Sequence, residues 1–322
     1  MKPHFKFPIP SVFSAVAGAA LLMAGRAPAQ NLFAVESYSG NITEFAPSGA
    51  SSSFASGITW PGKLAFNSAG DLFVSSGVSQ IVSGNIYEFT PGGTSSTFAT
   101  GLNGPNGLAF NSAGDLFEAD FFSDNIYEFT PGGARSTFAS GLNGPDGLAF
   151  DSVGDLFEAD ASSGIIYKFT PGGARSTFAS GLSSPRALAF NAAGDLFEGD
   201  SDSGTIYEFT PGGVKSVFAS GLDHPLGLAF DSAGKLFESD DFSGHIYEFT
   251  TDGAQSTFAS GLFDPVGLAF QPVPEPSVFG LLSGVTALLV LHHRKLTAPV
   301  KGSGKPPGWK LQTPQFKNQA AP

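Results

Sequence analysis

The sequence predicts an all-β fold: a six-bladed β-propeller with four-stranded blades, whose ring is closed by a composite blade made from the two ends of the domain. Three observations predict this fold. The chain repeats with a period of 40 residues, each repeat contains four strand-like segments, and one repeat is divided between the ends of the repetitive region. The repeat of residues 101–140 recurs at 141, 181 and 221, and at 57 with four extra residues.

Each repeat alternates short apolar segments with turn sequences. The segments GLAF, DLFEA, IYEFT and STFAS are rich in Phe, Tyr, Ile and Thr, which favour strands. NSAG or DSAG places Asn or Asp first and Gly last, as a hairpin loop built on a type I turn requires, and TPGG places Gly where φ must be positive. Gly or Pro interrupts every segment before a helical period is sustained, which excludes a helical repeat.

The number of blades follows from the divided repeat. Residues 31–56 match a repeat that lacks its first ten residues, and GLFDPVGLAF at 261–270 supplies those ten. Five whole repeats and this composite make six blades. Pairing of the two ends closes the ring and shelters the sheet edges. A linear solenoid would need polar capping repeats, and the sequence contains none.

The segments outside the repeats predict export. The chain of 322 residues has no cysteine, so disulfides are excluded. A basic start, an apolar stretch and small residues before a cleavage site after Ala29 indicate a secretory signal peptide, with an N-terminal membrane anchor as the alternative. The predicted regions are a signal peptide (1–29), the propeller (30–270), a sorting or transmembrane segment (271–295) and a disordered polar tail (296–322).

The repeat also resembles a known family. HPLGLAFDSAGKLFESDDFSGHIYEF, residues 224–249, is similar to the NHL repeat: Pro-x-Gly, an apolar strand ending in Asp, a small turn, a second strand ending in Ala-Asp and an apolar third strand. The likeness spans residues 31–270 and departs from the pattern at Ser76 and Glu36, where the second strand's usual Asp is replaced. The resemblance implies a six-bladed propeller used mostly for binding, with lactonases and lyases among its relatives. Fold alone does not choose between these functions.

The charge of the repeats excludes one class of partner. Residues 31–270 contain 7 Lys and Arg against 27 Asp and Glu, a net charge of −20. Such a surface repels nucleic acid and anionic lipid. We therefore expect no nucleic-acid partner, and the same charge also serves solubility.

Differences between the repeats point to one face of the disc. The connections NSAG and TPGG lie on one face and hardly vary, whereas ADFFSDN, ADASSGI, GDSDSGT and SDDFSGH lie on the other, beside NGPN, NGPD, SSPR and DHPL. We call the second face the variable face and take it as the candidate binding surface. Its candidate residues are Glu36, Asn106, Asp120, Asp146, Asp160, Arg186, Asp200 and Asp240.

Two interpretations of these carboxylates stay open. Each Asp could cap its own hairpin by accepting backbone N–H bonds, which we favour because the role repeats in every blade. The alternative is a carboxylate ring that holds Ca²⁺ or a cationic or polyhydroxylated ligand. Apart from such a Ca²⁺ ion we expect no cofactor.

The sequence contains little that indicates catalysis. Inner strands have Leu-Ala-Phe almost throughout, so Asn106, Asp146 and Arg186 are the residues expected to reach the channel. No Ser–His–Asp order or nucleophile elbow is present, and His224 and His245 are taken as isolated. The recurring Glu residues at 118, 158, 198 and 238 are interpreted as strand decoration. We expect a binding or scaffold module for a glycan, peptide or protein; the alternative is a metal-dependent enzyme of the lactonase or lyase type.

A separate motif follows the last repeat. From 278 to 291 there are 14 uncharged residues, about 21 Å as a helix against roughly 30 Å of hydrocarbon, so a permanent span is marginal. Pro274, Glu275 and Pro276, the apolar stretch and the basic HHRK together resemble the PEP-CTERM sorting signal of Gram-negative bacteria. The resemblance implies an exosortase partner, transient membrane anchoring and delivery to the cell surface or extracellular matrix. One departure is the 27-residue continuation after this segment.

Overall fold

The computed structural model describes residues 30–77 and 83–273, and these residues form 24 β-strands in six four-stranded antiparallel sheets. The predicted signal peptide and the segments from residue 274 onward lie outside the described residues. The described part contains no helix long and apolar enough to cross a membrane. In chain order the strands are β1 (Leu32–Glu36), β2 (Asn41–Phe45), β3 (Ser51–Ala55), β4 (Pro61–Phe66), β5 (Leu72–Ser76), β6 (Gly84–Phe89), β7 (Ser95–Leu102), β8 (Pro105–Phe110), β9 (Leu116–Asp120), β10 (Asn125–Phe129), β11 (Arg135–Ser140), β12 (Pro145–Phe150), β13 (Leu156–Asp160), β14 (Ile165–Phe169), β15 (Arg175–Ser180), β16 (Pro185–Phe190), β17 (Leu196–Asp200), β18 (Thr205–Phe209), β19 (Lys215–Ser220), β20 (Pro225–Phe230), β21 (Leu236–Asp240), β22 (His245–Phe249), β23 (Gln255–Ser260) and β24 (Pro265–Phe270).

The sheets confirm the six-bladed propeller and its composite blade. Blade 1 has the strand order β24-β1-β2-β3, so its inner strand comes from the far end of the domain. Strand β24 pairs antiparallel with β1, from Leu32 opposite Phe270 to Glu36 opposite Pro265. The remaining blades are continuous in sequence: blade 2 is β4–β7, blade 3 is β8–β11, blade 4 is β12–β15, blade 5 is β16–β19 and blade 6 is β20–β23.

The core lies between neighbouring blades. Six buried clusters, one at each interface, are built from the repeated Phe, Leu, Ile and Ala side chains. In the cluster between blades 3 and 4, the ring of Phe117 meets Phe138 and Phe150 edge-on, with centroids 4.9 and 5.1 Å apart. Edge-to-face pairs of this kind contribute about 0.5–1.5 kcal/mol each beyond their buried area. The Phe-rich composition therefore reflects packing between blades.

The turns on the face opposite the variable face have the predicted chemistry. In the first hairpin of blade 2, Asn67 Oδ1 accepts the backbone N–H groups of Ala69 and Asp71, and Gly70 has a φ of 87°. In the second, the N–H of Gly93 donates to the Thr90 carbonyl at 2.8 Å, and Gly93 has a φ of 80°. Each hairpin is thus specified by its own residues.

Candidate functional site

The central cavity of the variable face is lined by the residues at which the repeats differ. The second residue of the inner strand follows the initial Pro of Pro-x-Gly-Leu-Ala-Phe and is different in every blade. A cavity of about 300 Å³ brings these positions together with two loop aromatics, Phe121 and Phe122. The differing residues, from blade 2 round to blade 1, are Gly62, Asn106, Asp146, Arg186, Leu226 and Val266.

An ion pair organises this central cavity. Arg186 Nη1 donates to Asp146 Oδ2 at 2.9 Å, and the Asp146 side chain is 1% exposed. The guanidinium carbon of Arg186 lies 5.8 Å from the centre of the Phe121 ring. Arg186 Nε and Asp146 Oδ1 have no hydrogen-bond partner among the described residues. The structure therefore joins two of the predicted candidates, Asp146 and Arg186, and places Asn106 in the same cavity.

Lys63 is a central residue that the sequence analysis missed. It occupies the position at which the other inner strands have Gly or Ala, so its side chain extends across the channel. Its Nζ donates to the carbonyl of Leu226 and, at 2.9 Å, to that of Val266, and lies 3.9 Å from Asp146 Oδ1. Burial lowers the pKa of Lys63, while the Asp146 carboxylate acts in the opposite direction. The segment PGKLAF, in which Lys replaces the repeat's Gly, was the signal that could have revealed it.

The repeated carboxylates at the ends of the second strands are buried and hydrogen-bonded to the backbone. Asp200 is 1% exposed; it accepts the N–H groups of Ser183 at 2.7 Å, Ser184 at 3.3 Å and Ser203 at 3.2 Å. The first two belong to the connection that enters the same blade, and the third belongs to the carboxylate's own turn. Equivalent bonds to the entering connection are made by Asp120, Asp160, Asp240 and Glu36. These five carboxylates thus hold the loops that surround the cavity and do not line it.

The second-strand glutamates do not decorate the surface, and this corrects the sequence interpretation. All four are fully buried, and both oxygens of each carboxyl group have no hydrogen-bond partner among the described residues. Burial raises the pKa of each well above its ordinary value, and the neighbouring Asp at the end of the strand acts in the same direction. The side chains are Glu118, Glu158, Glu198 and Glu238.

The two histidines are not isolated either. His224 Nδ1 lies 3.1 Å from Asp241 Oδ2, and its ring stacks on Phe242. His245 stacks on Tyr247 with ring centroids 5.4 Å apart. The first contact joins two loops of the variable face, and the second joins residues on the same side of strand β22.

The donor groups of the cavity do not suit a divalent metal. Its one carboxylate, Asp146, faces two cationic side chains, Lys63 and Arg186. Among residues 30–77 and 83–273, no group of three or more His, Asp or Glu side chains is arranged to hold a metal ion. A divalent cation would have to displace both cations from the single carboxylate.

Comparison with known proteins supports the fold. A profile of the SMP-30/gluconolactonase/LRE-like region matches residues 55–197, from the outer strand of blade 1 to the second strand of blade 5. No curated protein matches the chain. A structure from a nidogen/laminin complex is 20% identical with a TM-score of 0.68, over 76% of this chain and 98% of that one. Virginiamycin B lyase from Staphylococcus aureus is 14% identical (TM-score 0.59, 76% and 92% covered), and a streptogramin B lyase is 15% identical (0.61, 75% and 87%). At these identities the likeness is one of fold.

Proposed function

We propose that this protein is an exported binding module with NHL-like blades, and that the central cavity of its variable face holds a polyhydroxylated ligand, a glycan. One observation carries the proposal: within repeats that are otherwise nearly identical, the position lining the cavity has a different residue in every blade. A purely architectural position would repeat its residue, as the turns and the interblade Phe residues do. The divergence makes an asymmetric cavity in a symmetric ring.

The chemistry of the cavity suits hydroxyl groups. Arg186 offers N–H donors and Asn106 offers both an N–H donor and a carbonyl acceptor, the combination that orients a sugar hydroxyl, while the buried Asp146 carboxylate holds the Arg186 guanidinium. Phe121 and Phe122 are half-buried and meet edge-on at 5.1 Å, so they provide apolar surface for the C–H face of a sugar ring. Lys63 crosses the channel below, so a ligand would rest on the face and would not thread the channel.

A metal-dependent lactonase or lyase is the second candidate. It is favoured by the family profile over residues 55–197 and by the lyase structures with the same fold. The donor set of the cavity does not fit the metal that such an enzyme would need, so we derive no metal-dependent step. Assays of lactone hydrolysis with added Ca²⁺, Mn²⁺ or Zn²⁺ should show no activity above background; activity abolished by Asp146→Asn would replace our proposal.

The binding proposal is tested by a glycan array followed by calorimetry on the best ligand. Arg186→Gln should weaken binding by about tenfold or more, because it removes a charge-assisted donor and unpairs Asp146. Arg175→Gln is the matched control: Arg175 lies over Tyr167 on an outer strand, away from the cavity, and its loss should leave affinity unchanged. Equal affinity of the Arg186 variant and the wild type, or no glycan binding at all, would contradict the proposal.

We further propose that the chain is exported to the cell surface or extracellular matrix of a Gram-negative bacterium through a PEP-CTERM-like signal and an exosortase. Support comes from the basic and apolar N-terminal stretch, from Pro274, Glu275 and Pro276, and from the basic cluster after the second apolar stretch. Mass spectrometry of the surface-associated protein should find an N-terminus at Gln30 and a C-terminus near Pro276. An intact chain ending at Pro322 in the inner membrane would overturn this part.

A further inference from the structure

A second polar cluster lies on the variable face where blades 6 and 1 meet. His224 precedes β20, Asp241 follows β21 and Asp264 precedes β24. The imidazole of His224 lies 3.1 Å from Asp241 and stacks on Phe242 with centroids 4.4 Å apart and planes 3° from parallel. None of these residues lines the central cavity. The cluster therefore lies beside the proposed glycan site without forming its lining.

The carboxyl groups of Asp241 and Asp264 are neighbours in this cluster, and together they form an acceptor for a positively charged hydrogen-bond donor. The Asp241 side chain is 7% exposed, and its Oδ1 has no hydrogen-bond donor among the described residues. Its neighbour is the carboxyl group of Asp264, which can donate to it only while protonated. Burial and the contact with Asp241 raise the pKa of Asp264 to about 7. Burial opposes ionisation of Asp241 as well, but hydrogen bonds from His224 and Asp264 outweigh it and lower the pKa of Asp241.

Two residues of the cluster, His224 and Asp264, have an unfavourable backbone conformation. In most blades the residue before the inner-strand proline has a positive φ, the left-handed backbone conformation. Blades 3 and 4 have Gly104 and Gly144 at this position, with φ of 76° and 69°. Blades 6, 1 and 2 have His224, Asp264 and Trp60 at this position, with φ of 77°, 62° and 45°. Side chains are disfavoured in this region, and such strain is typically retained where the side chain has a function.

Exposed aromatic side chains surround this cluster. They lie in the variable-face loops of blades 6, 1 and 2, which we call the arc. The four aromatic residues that are exposed in the described part of the chain all lie in loops of blades 6, 1 and 2 on the variable face. Phe242 directly follows Asp241, and Phe263 directly precedes Asp264, so each carboxyl group has an exposed ring beside it in the chain. The exposed fractions are 75% for Tyr38, 44% for Trp60, 68% for Phe242 and 65% for Phe263.

We propose that this arc is a docking surface for a basic segment of a partner protein, with the Asp241 and Asp264 carboxyl groups binding one Lys or Arg side chain of that segment. Carboxylates flanked by aromatic faces attract an organic cation through charge and cation–π contact. The net charge of −20 over residues 31–270 steers a basic partner towards the domain. When the cation binds, the proton on Asp264 passes to solvent, and the cationic N–H donors replace it between the two carboxylates.

Binding should therefore depend on pH. The charged and titratable groups that face Asp264 are Asp241 and His224, and Lys63 also acts on Asp241. As pH rises through 6 to 8, Asp264 loses its proton, and the negative charge that remains on its carboxylate favours an incoming cation. The affinity for a basic segment should rise across this range, with release of a proton where Asp264 starts protonated.

The test uses the peptide acetyl-Gly-Arg-Gly-Arg-Gly-amide as the probe and its Gln counterpart as the uncharged control. Calorimetry at pH 6 and pH 8, in two buffers of different ionisation heat, measures affinity and proton release together. The Arg peptide should bind about tenfold more tightly at pH 8 than at pH 6, and Asp264→Asn should abolish both the pH dependence and the proton release.

Two further variants separate the role of the carboxyl pair from general charge and from the aromatic ring. Asp202→Asn removes one exposed carboxylate from the same face in blade 5 and should leave peptide binding unchanged. Phe263→Leu removes the ring and keeps the carboxyl pair, so it should weaken binding without removing the proton release. Equal binding of the Gln peptide, or undiminished binding to the Asp264 variant at pH 8, overturns the proposal. If Asp264→Asn abolishes glycan binding and leaves the peptide unaffected, the arc belongs to the glycan site.

Discussion

The repeated carboxyl groups of one strand have opposite environments. In LFEGD of β17, Asp200 ends the strand and accepts three backbone N–H groups, whereas Glu198, two residues earlier, is buried with no partner for either oxygen. Both side chains point to the same side of the strand, since they are separated by two residues. The difference comes from position: the end of the strand meets loops with free N–H groups, whereas the middle faces the preceding blade, on the same side as Leu196.

Replacing Asp200 by Ala should destabilise the propeller by about 1–3 kcal/mol, because it leaves N–H groups of two connections without their charged acceptor. Asp160→Ala, which removes bonds to Asn143 and Ser163, should cost a similar amount. Denaturant unfolding measures both. Asp202→Ala in the same loop is exposed and should change stability by less than about 0.5 kcal/mol. Strong stabilisation of the wild type by Ca²⁺, lost in both Asp variants, would instead identify a metal site.

The buried glutamates should make stability fall as pH rises. Burial raises their pKa in the folded state, so between the unfolded value of about 4.3 and the folded value the unfolded chain has lost protons that the folded chain retains. Around Glu118, Asp120 adds to this shift and Arg135 opposes it. The melting temperature of the wild type should therefore decrease from pH 6 to pH 9, and the fourfold Glu→Gln variant should show a flatter profile.

Glu208→Gln, on the half-buried third strand of blade 5, is the control for charge removal and should leave the slope unchanged. Asp264, with a pKa of about 7, contributes to the slope in the same direction, so a residual decrease is expected in the fourfold variant. A fourfold variant with the full slope of the wild type would show that the glutamates are ionised in the folded protein.

At the scale of the element, the inner strand is constrained by its neighbours around the channel. A Cβ atom on Gly107 would lie 1.9 Å from the carbonyl oxygen of Asp146 in the next inner strand, and one on Gly147 would lie 2.5 Å from that of Arg186. The third residue of Pro-x-Gly-Leu-Ala-Phe is thus small because adjacent backbones approach closely. Blade 2 departs from the rule with Lys63, and its side chain fills the channel.

Gly107→Ala should therefore destabilise the propeller by about 1–3 kcal/mol, since the neighbouring strand has to move. The shift would also displace Asp146, so glycan affinity should fall together with stability. Gly92→Ala offers a control: its Cβ would lie 3.9 Å from the nearest atom, Thr90 Oγ1, and should be tolerated. Thermal unfolding should give a lower melting temperature for Gly107→Ala than for Gly92→Ala. Equal melting temperatures would contradict the steric clash with the neighbouring strand.

At the scale of the whole molecule, closure depends on one strand. Strand β24 supplies the inner position of blade 1 and the Leu268 side chain of the cluster between blades 6 and 1. Deleting residues 261–270 would empty that position and expose the edge of β1. It would also remove the backbone N–H of Phe263, which donates a hydrogen bond to the Glu36 carboxylate. The truncated chain should aggregate or melt at a much lower temperature than the full chain, as light scattering and calorimetry would show. A normal melting transition would contradict closure by this strand.

The sequence by itself determined the repeat, its four strands, the turn chemistry and the number of blades. These features depend on residues within one repeat or on matching its divided ends, so local propensity and counting suffice. The convergence of Asn106, Asp146 and Arg186 was also predictable, because equivalent positions of a ring meet at its centre.

Only the tertiary structure decided the rest. Lys63 contacts the carbonyls of Leu226 and Val266, separated from it by 163 and 203 residues, and no periodicity specifies the reach of one long side chain across a channel. The burial of Glu118 and its equivalents depends on the preceding blade, which covers that side of the strand; a strand buried on both sides has no alternating pattern that could reveal it. The pairing of Asp241 with Asp264 arises where the two ends of the chain meet, and ring closure, rather than any local pattern, places them together.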